Sequence, residues 1–141
     1  MALTLTLFNL VACAATPTRV GLVNGRLQPC PASPNCVCSQ GKEDPKHAIE
    51  PLTFVGELAA AKQRLRAVIN GMPRTKMAEE RDDYWRVEFT SFFLRFVDDV
   101  EFLFDPQAKV IQVRSASRVG YSDLGVNRKR VEEIRKRFNA G

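Results

Sequence analysis

Four cysteines are the residues of this sequence best suited to covalent chemistry, and Cys30, Cys36 and Cys38 lie within nine positions of one another. Cys30 and Cys36 bracket a rigid, proline-rich turn, which places them to close a small disulfide loop in an oxidising compartment. Cys38 is then an odd thiol, either buried or reactive. The alternative is a metal site formed by Cys30, Cys36, Cys38 and His47, but that spacing matches none of the usual paired-cysteine zinc patterns. We therefore expect a Cys30–Cys36 disulfide and no metal ion.

Cys13 lies in a different setting. Residues 1–12 are uncharged and strongly apolar, and they lead into Leu10-Val11-Ala12-Cys13, which resembles the lipobox of bacterial lipoproteins. The resemblance implies a cleaved signal over residues 1–12, lipidation of Cys13 and stable attachment to a membrane through several acyl chains. A signal normally starts with basic residues, whereas nothing basic precedes Arg19, so the alternative is a first β-strand. Lipidation predicts a location on the exported side of a membrane, in the periplasm or in the thylakoid lumen of a photosynthetic organism.

His47 is the only histidine, so a Ser-His-Asp or Cys-His catalytic arrangement has to use it. Nothing near it marks a nucleophile, and the sequence lacks the glycine motifs of phosphate loops and dinucleotide sites. The adjacent carboxylates Asp98 and Asp99 lie on a predicted strand, where neighbouring side chains point to opposite faces and do not act together. We therefore expect no catalytic residue and no cofactor, and we expect His47 to hydrogen-bond to backbone. An enzyme that uses His47 is the remaining alternative.

Serine and arginine side chains are concentrated where the last predicted strand passes into the last predicted helix. Ser115 and Ser117 fall on the apolar face of that strand, where buried hydroxyls need hydrogen-bond partners. The free N–H groups at the start of the helix point toward the same region, which suits a small anion or a carboxylate. The other interpretation is a capped strand-to-helix turn, with Asp123 or Asn127 as the cap. The candidate ligand-binding residues are Arg114, Ser115, Ser117, Arg118, Tyr121, Ser122, Asp123, Asn127 and Arg128.

Two amphipathic helices frame these residues. In residues 57–70 the apolar side chains repeat with helical spacing, and Gly71 ends the helix. Residues 126–138 repeat in the same way. The buried face of this second helix is predicted to carry Leu124, Asn127, Val131, Ile134 and Phe138. The face toward solvent or a partner is predicted to carry Arg128, Lys129, Arg135 and Lys136.

Between the helices the period of the apolar residues changes to two. Residues 75–119 therefore predict about four antiparallel strands with one buried face. Residues 105–109 form a hairpin loop whose length sets the register of the flanking strands. A two-residue loop places Arg114 opposite Asp99 and a four-residue loop places it opposite Glu101, so either register gives Arg114 an acidic partner.

The predicted fold class is α+β, with a single antiparallel sheet and both helices on one face of it. Residues 51–141 form this α+β domain. Residues 13–50 are rich in proline, glycine and asparagine, and they are predicted to be an extended, cysteine-containing lead-in with a tight turn at Asn24-Gly25. No apolar run approaches the ~20 residues that a membrane-spanning helix needs.

Net charge is the remaining clue to partners. The chain carries a formal charge of +5, and residues 114–141 hold eight basic and three acidic residues, so this segment accounts for the whole excess. A basic helix suggests nucleic acid, but export excludes that partner, and the last cations of the helix suit its dipole. An anionic lipid surface is the partner that agrees with lipidation.

Three segments taken in order resemble the DUF1499 family of bacteria and photosynthetic eukaryotes. They are Cys30-Pro-Ala-Ser-Pro-Asn-Cys-Val37, the pair of runs at 87–91 and 95–102, and the run at 111–128 that includes Arg-Ser-Ala-Ser-Arg. The resemblance covers about residues 21–138. It implies no activity, because the family is named for lacking an assigned function, and it implies a protein that is often exported or lipid-anchored. The family usually has serine at the position of Cys38, which argues against a metal site that needs this thiol.

Together these features predict an exported, lipid-anchored, non-catalytic binding protein that is an accessory to a membrane or envelope complex. The alternative is a carrier of a small anionic ligand, bound at the turn rich in arginine and serine.

Overall fold

The strands and helices follow the periodicities of the sequence, in a computed structural model that describes residues 19–141. The predicted signal at residues 1–12 and the lipidation of Cys13 lie outside the described residues and stay predictions. The fold is α+β, as predicted, with two helices, a main antiparallel sheet and a small two-stranded sheet. In chain order the elements are β1 (Leu22–Val23), β2 (Arg26–Leu27), β3 (Cys36–Cys38), β4 (Leu52–Thr53), α1 (Leu58–Asn70), β5 (Thr75–Glu80), β6 (Tyr84–Thr90), β7 (Val97–Asp105), β8 (Val110–Ser117) and α2 (Val126–Ala140).

The main sheet has six strands rather than about four. Its order is β3-β8-β7-β6-β5, and β4 pairs with β8 beside β3. The four long strands β5 to β8 are the predicted ones. The two additional strands are three and two residues long, which is too short for an alternating pattern to be visible in the sequence. The remaining strands, β1 and β2, pair as a hairpin around the predicted turn at Asn24-Gly25.

The hairpin between β7 and β8 has the longer of the two predicted loops. Asp105 pairs with Val110, which leaves four residues in the loop and places Glu101 opposite Arg114. The prediction that Arg114 has an acidic partner across the sheet is therefore confirmed, and the partner is Glu101.

Both helices pack on one face of the sheet, as predicted. Ala61, Leu65, Val68 and Ile69 of α1 are buried there. The strand side chains in the same core are Trp85, Val87, Phe89, Val100, Phe102, Phe104, Ile111 and Val113. From α2 the core receives Val131, Ile134 and Phe138.

Leu124 does not belong to the buried face of α2, which corrects the sequence prediction. Its side chain is 86% exposed. The helix begins only at Val126, after Gly125 in the left-handed region at φ 79° and Leu124 at φ 53°. Because the helical period does not extend back through these two residues, Leu124 turns away from the core.

The opposite face of the sheet is also covered, although the alternating pattern predicted only one buried face. The segment around β1 and β2 lies against this face, where Leu27, Cys38 and Tyr84 form a second, smaller buried cluster. Gly21 N–H donates to Glu101 Oε1 at 2.7 Å, which ties the start of the described chain to the middle of the sheet. The lead-in therefore packs on the sheet and covers its second face.

Two of the four cations predicted to face solvent or a partner are instead used to hold the chain before β4. Arg128 donates to the carbonyl oxygens of Ala48 and Lys46. Arg135 donates to the carbonyl oxygens of Pro51 and Glu50, both at 2.6 Å. Lys129 and Lys136 are exposed, as predicted.

The predicted disulfide is present, with the Cα atoms of Cys30 and Cys36 5.7 Å apart. It uses two of the four ligands of the alternative metal site. Cys38 is a buried free thiol, and burial raises its pKa, which keeps it protonated and poorly nucleophilic. Neither helix in the described part of the chain combines the length and the apolar character needed to cross a membrane.

Candidate functional site

The strand-to-helix turn is organised around Asn127, a fully buried polar residue. Ser115 Oγ–H donates to Asn127 Oδ1 at 2.6 Å. The amide nitrogen Nδ2 of Asn127 donates to Ser117 Oγ at 2.9 Å and to the carbonyl oxygen of Asn35 at 3.1 Å. The two serine hydroxyls on the apolar face of β8 are thus matched by a side chain from α2. This network fastens the helix to the sheet and to the lead-in.

Asp123 accepts the N–H groups at the start of α2. Its carboxylate accepts hydrogen bonds from the backbone N–H groups of Gly125 and Asn127, both at 2.9 Å, and from Asn127 Nδ2 at 2.8 Å. Burial alone raises the pKa of Asp123, but these hydrogen bonds outweigh it and lower the pKa below the ordinary value of 3.8. The carboxylate already occupies the position that an anionic ligand would take at this helix start.

Arg130 extends the network and was not among the predicted site residues. It donates to Asn127 Oδ1 at 2.9 Å and to Asp98 Oδ2 at 2.6 Å. The spacing of Arg130 three residues after Asn127 is the only signal in the sequence that links the two, because side chains at this spacing meet on a helix. The contact with Asp98 depends on the packing of α2 against the sheet.

An arginine–carboxylate cluster, formed by Arg86, Glu88, Asp99 and Arg118, lies on the sheet face away from the helices. Arg118 donates to both oxygens of Asp99, at 2.7 and 2.9 Å, and to Glu88 at 2.6 Å. The hydrogen bond with Asp99 raises the pKa of Arg118, against the opposing effect of burial. Arg86 donates to Asp99 at 2.9 Å. Asp98 and Asp99 thus serve opposite faces of the sheet, as predicted.

Arg114 and Glu101 form a buried ion pair beside this cluster. Arg114 Nη1 donates to Glu101 Oε2 at 2.7 Å, and the Arg114 side chain is 1% exposed. Tyr84 Oη–H donates to Glu101 Oε1 at 2.8 Å. Burial, and next the charge of Glu101, raise the pKa of Tyr84 and keep it a neutral donor.

The nine predicted site residues therefore fall into separate places. Ser115, Ser117, Asp123 and Asn127 share one hydrogen-bond network. Arg114 and Arg118 lie on the other face of the sheet, and Arg128 reaches the backbone of the lead-in. The remaining two, Tyr121 and Ser122, are exposed.

His47 is buried and bonded at both ring nitrogens. Nδ1 lies 2.6 Å from Asp44 Oδ2, and Nε2 lies 3.0 Å from the carbonyl oxygen of Ser33. The hydrogen bond with His47 lowers the pKa of the exposed Asp44 carboxyl. His47 thus contacts backbone, as predicted, and joins two parts of the lead-in.

Exposed apolar side chains are gathered at one end of the sheet, and the sequence prediction missed this feature. The described residues expose ten large apolar side chains, and eight of them lie in the loop between β6 and β7 or in the segment from β8 to α2. We call this set the apolar end: Phe92, Phe93, Leu94, Phe96, Val119, Tyr121, Leu124 and Val126. The run Phe92-Phe93-Leu94 was the available signal, since it interrupts the alternation between two strands.

The loop of the apolar end is held in shape by its own hydrogen bonds. Ser91 N–H donates to the carbonyl oxygen of Phe96 at 2.8 Å, and Phe96 N–H donates to Ser91 Oγ at 2.9 Å. The rings of Phe92 and Phe93 meet edge to face with centroids 4.9 Å apart. The loop therefore presents its apolar side chains to solvent in a defined arrangement.

One protein family matches the chain. The family is described as a protein of unknown function, DUF1499, and its model matches residues 26–138. Because the match covers most of the sequence, the chain belongs to this family, as its three motifs indicated. No curated protein matches the chain.

Proposed function

We propose that this member of the DUF1499 family is an exported, lipid-anchored, non-catalytic binding protein, accessory to a membrane or envelope complex. The observation that carries the proposal is the apolar end, where eight of the ten exposed large apolar side chains in the described residues are gathered. Scattered apolar residues are normal on a protein surface, whereas a concentration of them marks an interaction site.

The exposure of these side chains is costly unless a partner covers them. Phe93 is 88% exposed and Leu94 is 69% exposed. Full burial of a phenylalanine or leucine side chain is worth about 1.5–3 kcal/mol. A partner that covers several of them thus gains a large part of its binding energy from this one surface.

The polar clusters of the described residues support binding rather than catalysis. Most of their donors and acceptors are used on one another, as in the pairing of Arg118 with Asp99 and Glu88. His47 is likewise held between Asp44 and Ser33. A general base needs to reach a substrate proton, and these contacts hold the imidazole inside the lead-in.

The same contacts argue against the alternative of an anion carrier. A small anion at the turn has to compete with Asp123 for the N–H groups of α2 and with Asp99 for Arg118. In a thermal-shift titration with phosphate, sulfate and acetate we expect no stabilisation specific to this turn. A shift that Arg118→Lys abolishes, and that Lys136→Ala leaves unchanged, would favour the carrier.

Intact-mass measurement of the native protein, with and without reduction, tests the anchoring. We expect a chain that begins at Cys13, carries lipid and gains two hydrogen atoms when the Cys30–Cys36 disulfide is reduced. An unprocessed chain that starts at Met1, without lipid, would contradict the proposal.

Copurification from native membranes tests the binding partner. We expect a membrane complex to be retained by the wild-type protein and to be retained less well by the double variant Phe93→Ser, Leu94→Ser, whose apolar end no longer holds the domain against the membrane. The matched control is Val23→Ser, Val55→Ser, which removes the two exposed large apolar side chains that residues 19–141 have outside the apolar end. Equal retention by both double variants would show that the apolar end does not hold the complex.

A further inference from the structure

We infer that the occupant of the apolar end is a lipid bilayer with anionic headgroups, into which the two exposed segments insert side by side. This inference rests on the proposed location at a membrane. It names the part of the membrane that the domain contacts directly, in addition to any lipid on Cys13.

The two segments of the apolar end are held next to each other by the sheet. Thr90 pairs with Val97 where the loop 91–96 joins its strands. Arg118 N–H donates to the carbonyl oxygen of Val97 at 3.1 Å, so the segment 119–126 leaves the sheet beside that loop. Asn35 Nδ2 donates to the carbonyl oxygen of Gly120 at 2.7 Å and fixes the second segment in place. A single plane of lipid is thus able to meet both segments.

The outermost side chains are those that a bilayer interface accepts. Phe93 and Leu124 are 88% and 86% exposed, and Tyr121 is 72% exposed. Phenylalanine and leucine partition into the acyl boundary, while a tyrosine ring lies at the headgroup level. These residues come from loops and turns whose backbone is held by hydrogen bonds, as between Ser91 and Phe96 and between Asn35 and Gly120.

The charges around the apolar end complement phosphate headgroups. Arg95 is exposed within the loop, and Lys129 is exposed in the first turn of α2. Arg74 is exposed and places its guanidinium 5.5 Å from the centroid of the Phe92 ring. The acidic residue of the two segments is Asp123, and its carboxylate is already bonded to N–H groups. Cations with an apolar centre are the arrangement that binds anionic membranes.

The predicted anchor has the length to reach the same membrane. Gly21 lies eight positions after Cys13, and this stretch spans at most about 28 Å when extended. Gly21 is hydrogen-bonded to Glu101, four residues along β7 from Val97, or about 13 Å at the rise of a strand. Lipid on Cys13 and lipid at the apolar end are therefore compatible with one bilayer.

Vesicle binding of the full chain with Cys13→Ser tests the inference without the anchor. The vesicles contain phosphatidylcholine alone, or equal parts of phosphatidylcholine and phosphatidylglycerol. We expect binding to the mixed vesicles that weakens in high salt. We expect Phe93→Ser, Leu94→Ser to reduce the partition coefficient at least about tenfold, and Val23→Ser, Val55→Ser to leave it unchanged. Residues 1–12 are common to all these chains, so the differences report on the apolar end.

Insertion is measured with a single tryptophan substitution. Phe93→Trp is expected to give a blue-shifted emission with the mixed vesicles and quenching by brominated lipids. Val55→Trp is the control, because Val55 lies near the β7–β8 hairpin at the other end of the sheet. The native Trp85 is buried and contributes the same background to both. Circular dichroism confirms that each variant is folded.

Several results would overturn the inference. They are equal vesicle binding by the two double serine variants, equal quenching at positions 93 and 55, and self-association through the apolar end in place of vesicle binding. One further result is copurification of a membrane complex that depends on Phe93 and Leu94, together with no binding to vesicles. It would overturn the lipid inference and leave the proposed function intact. Vesicle insertion by a chain whose native form carries no lipid supports the inference and contradicts the proposed anchoring.

Discussion

Arg114 illustrates how a charged residue becomes part of a protein interior. It lies on the sheet face away from the helices, where Glu101 is its cross-strand neighbour. Glu101 also accepts hydrogen bonds from Tyr84 Oη and from Gly21 N–H. Burial of two charges is expensive, and the pair is tolerated because each carboxylate oxygen has a close donor. Removal of one partner leaves the other charged and buried.

We expect Arg114→Met to lower the free energy of unfolding by about 3–5 kcal/mol, because it leaves the Glu101 carboxylate without its cation. The double variant Arg114→Met, Glu101→Gln is expected to recover a large part of this loss, since no unpaired charge remains. Urea denaturation of the three proteins measures both effects. A single variant within 1 kcal/mol of wild type, or a double variant less stable than the single one, would contradict this account.

Asp123 gives a pH-dependent contribution to stability. Its pKa is lowered in the folded state, so it stabilises the fold above its unfolded value of 3.8, and this stabilisation is lost as the pH falls through the lower, folded pKa. We expect Asp123→Asn to cost about 1 kcal/mol at neutral pH, as for the loss of a helix cap, and less at acidic pH. Urea denaturation between neutral pH and pH 3 measures the difference.

The control for this experiment is Asp82→Asn, which changes an exposed carboxylate in the turn between β5 and β6. It is expected to follow wild type across the same range. The opposite result is that Asp123→Asn lowers the free energy of unfolding by the same amount at neutral and at acidic pH. That result would show that the helix start does not require the carboxylate charge.

At this scale the sequence predicts charge pairing better than it predicts ligand binding. The cross-strand partner of Arg114 followed from the strand register once the loop length was known. The partners of Arg118 and Arg130 are distant in the sequence, at Glu88, Asp99 and Asp98. Side chains at such separations meet only after the sheet and α2 have packed, so a single sequence shows the charges without their pairing.

At the level of secondary-structure elements, two arginines of α2 attach this helix to the segment before β4. Arg128 and Arg135 lie seven positions apart, two helical turns, and donate to four backbone carbonyl groups between Lys46 and Pro51. These carbonyl groups belong to an irregular segment with few backbone partners of its own. A planar guanidinium with several donors suits this task better than a lysine ammonium.

We expect Arg128→Ala, Arg135→Ala to loosen residues 46–51, because four hydrogen bonds from α2 are lost together. Limited trypsin digestion measures this as faster cleavage after the exposed Lys46. The matched control is Lys129→Ala, Lys136→Ala, which removes the same charge from exposed positions of the same helix. Equal rates of cleavage in the two double variants would mean that the arginines do not hold the segment.

Long elements were predictable and short ones were not. The helix in residues 58–70 and the strands β5 to β8 carry clear periods of apolar residues, so their identity and order follow from the sequence. By contrast, β3 and β4 exist because their residues meet β8, at Cys36 with Ala116 and at Leu52 with Ile111. The start of α2 shows the same limit. Leu124 and Gly125 both have left-handed backbone angles, which keep Leu124 out of the helix, and Gly125 was the only sign of this in the sequence.

For the whole molecule, the net charge of +5 has a different meaning once its positions are known. Arg114, Arg118, Arg130 and Arg137 pair with carboxylates, and Arg128 and Arg135 bind backbone carbonyl groups. The basic C-terminal segment is therefore mainly a set of internal and neighbouring contacts. What matters for binding is that the two ends of the sheet differ. The apolar end lies at one end of the strands and the β7–β8 hairpin lies at the other.

For the proposed lipid-anchored form of the protein, this difference between the two ends predicts a fixed orientation on the membrane. Lipid on Cys13 alone leaves the domain free to rotate on its tether, whereas insertion of the apolar end places Arg95 among the headgroups. It leaves accessible the exposed Lys109, which lies in the β7–β8 hairpin at the other end of the sheet. In membranes that carry the native protein, we expect trypsin to cleave after Lys109 and to cleave after Arg95 much more slowly. Detergent, which removes the bilayer, is expected to raise cleavage after Arg95. Phe93→Ser, Leu94→Ser with Cys13 intact is expected to stay in the membrane fraction and to be cleaved after Arg95 without detergent. If Arg95 is cut equally well in the wild-type protein before and after detergent, the domain is not oriented by this surface, because an inserted loop has no access to a soluble protease.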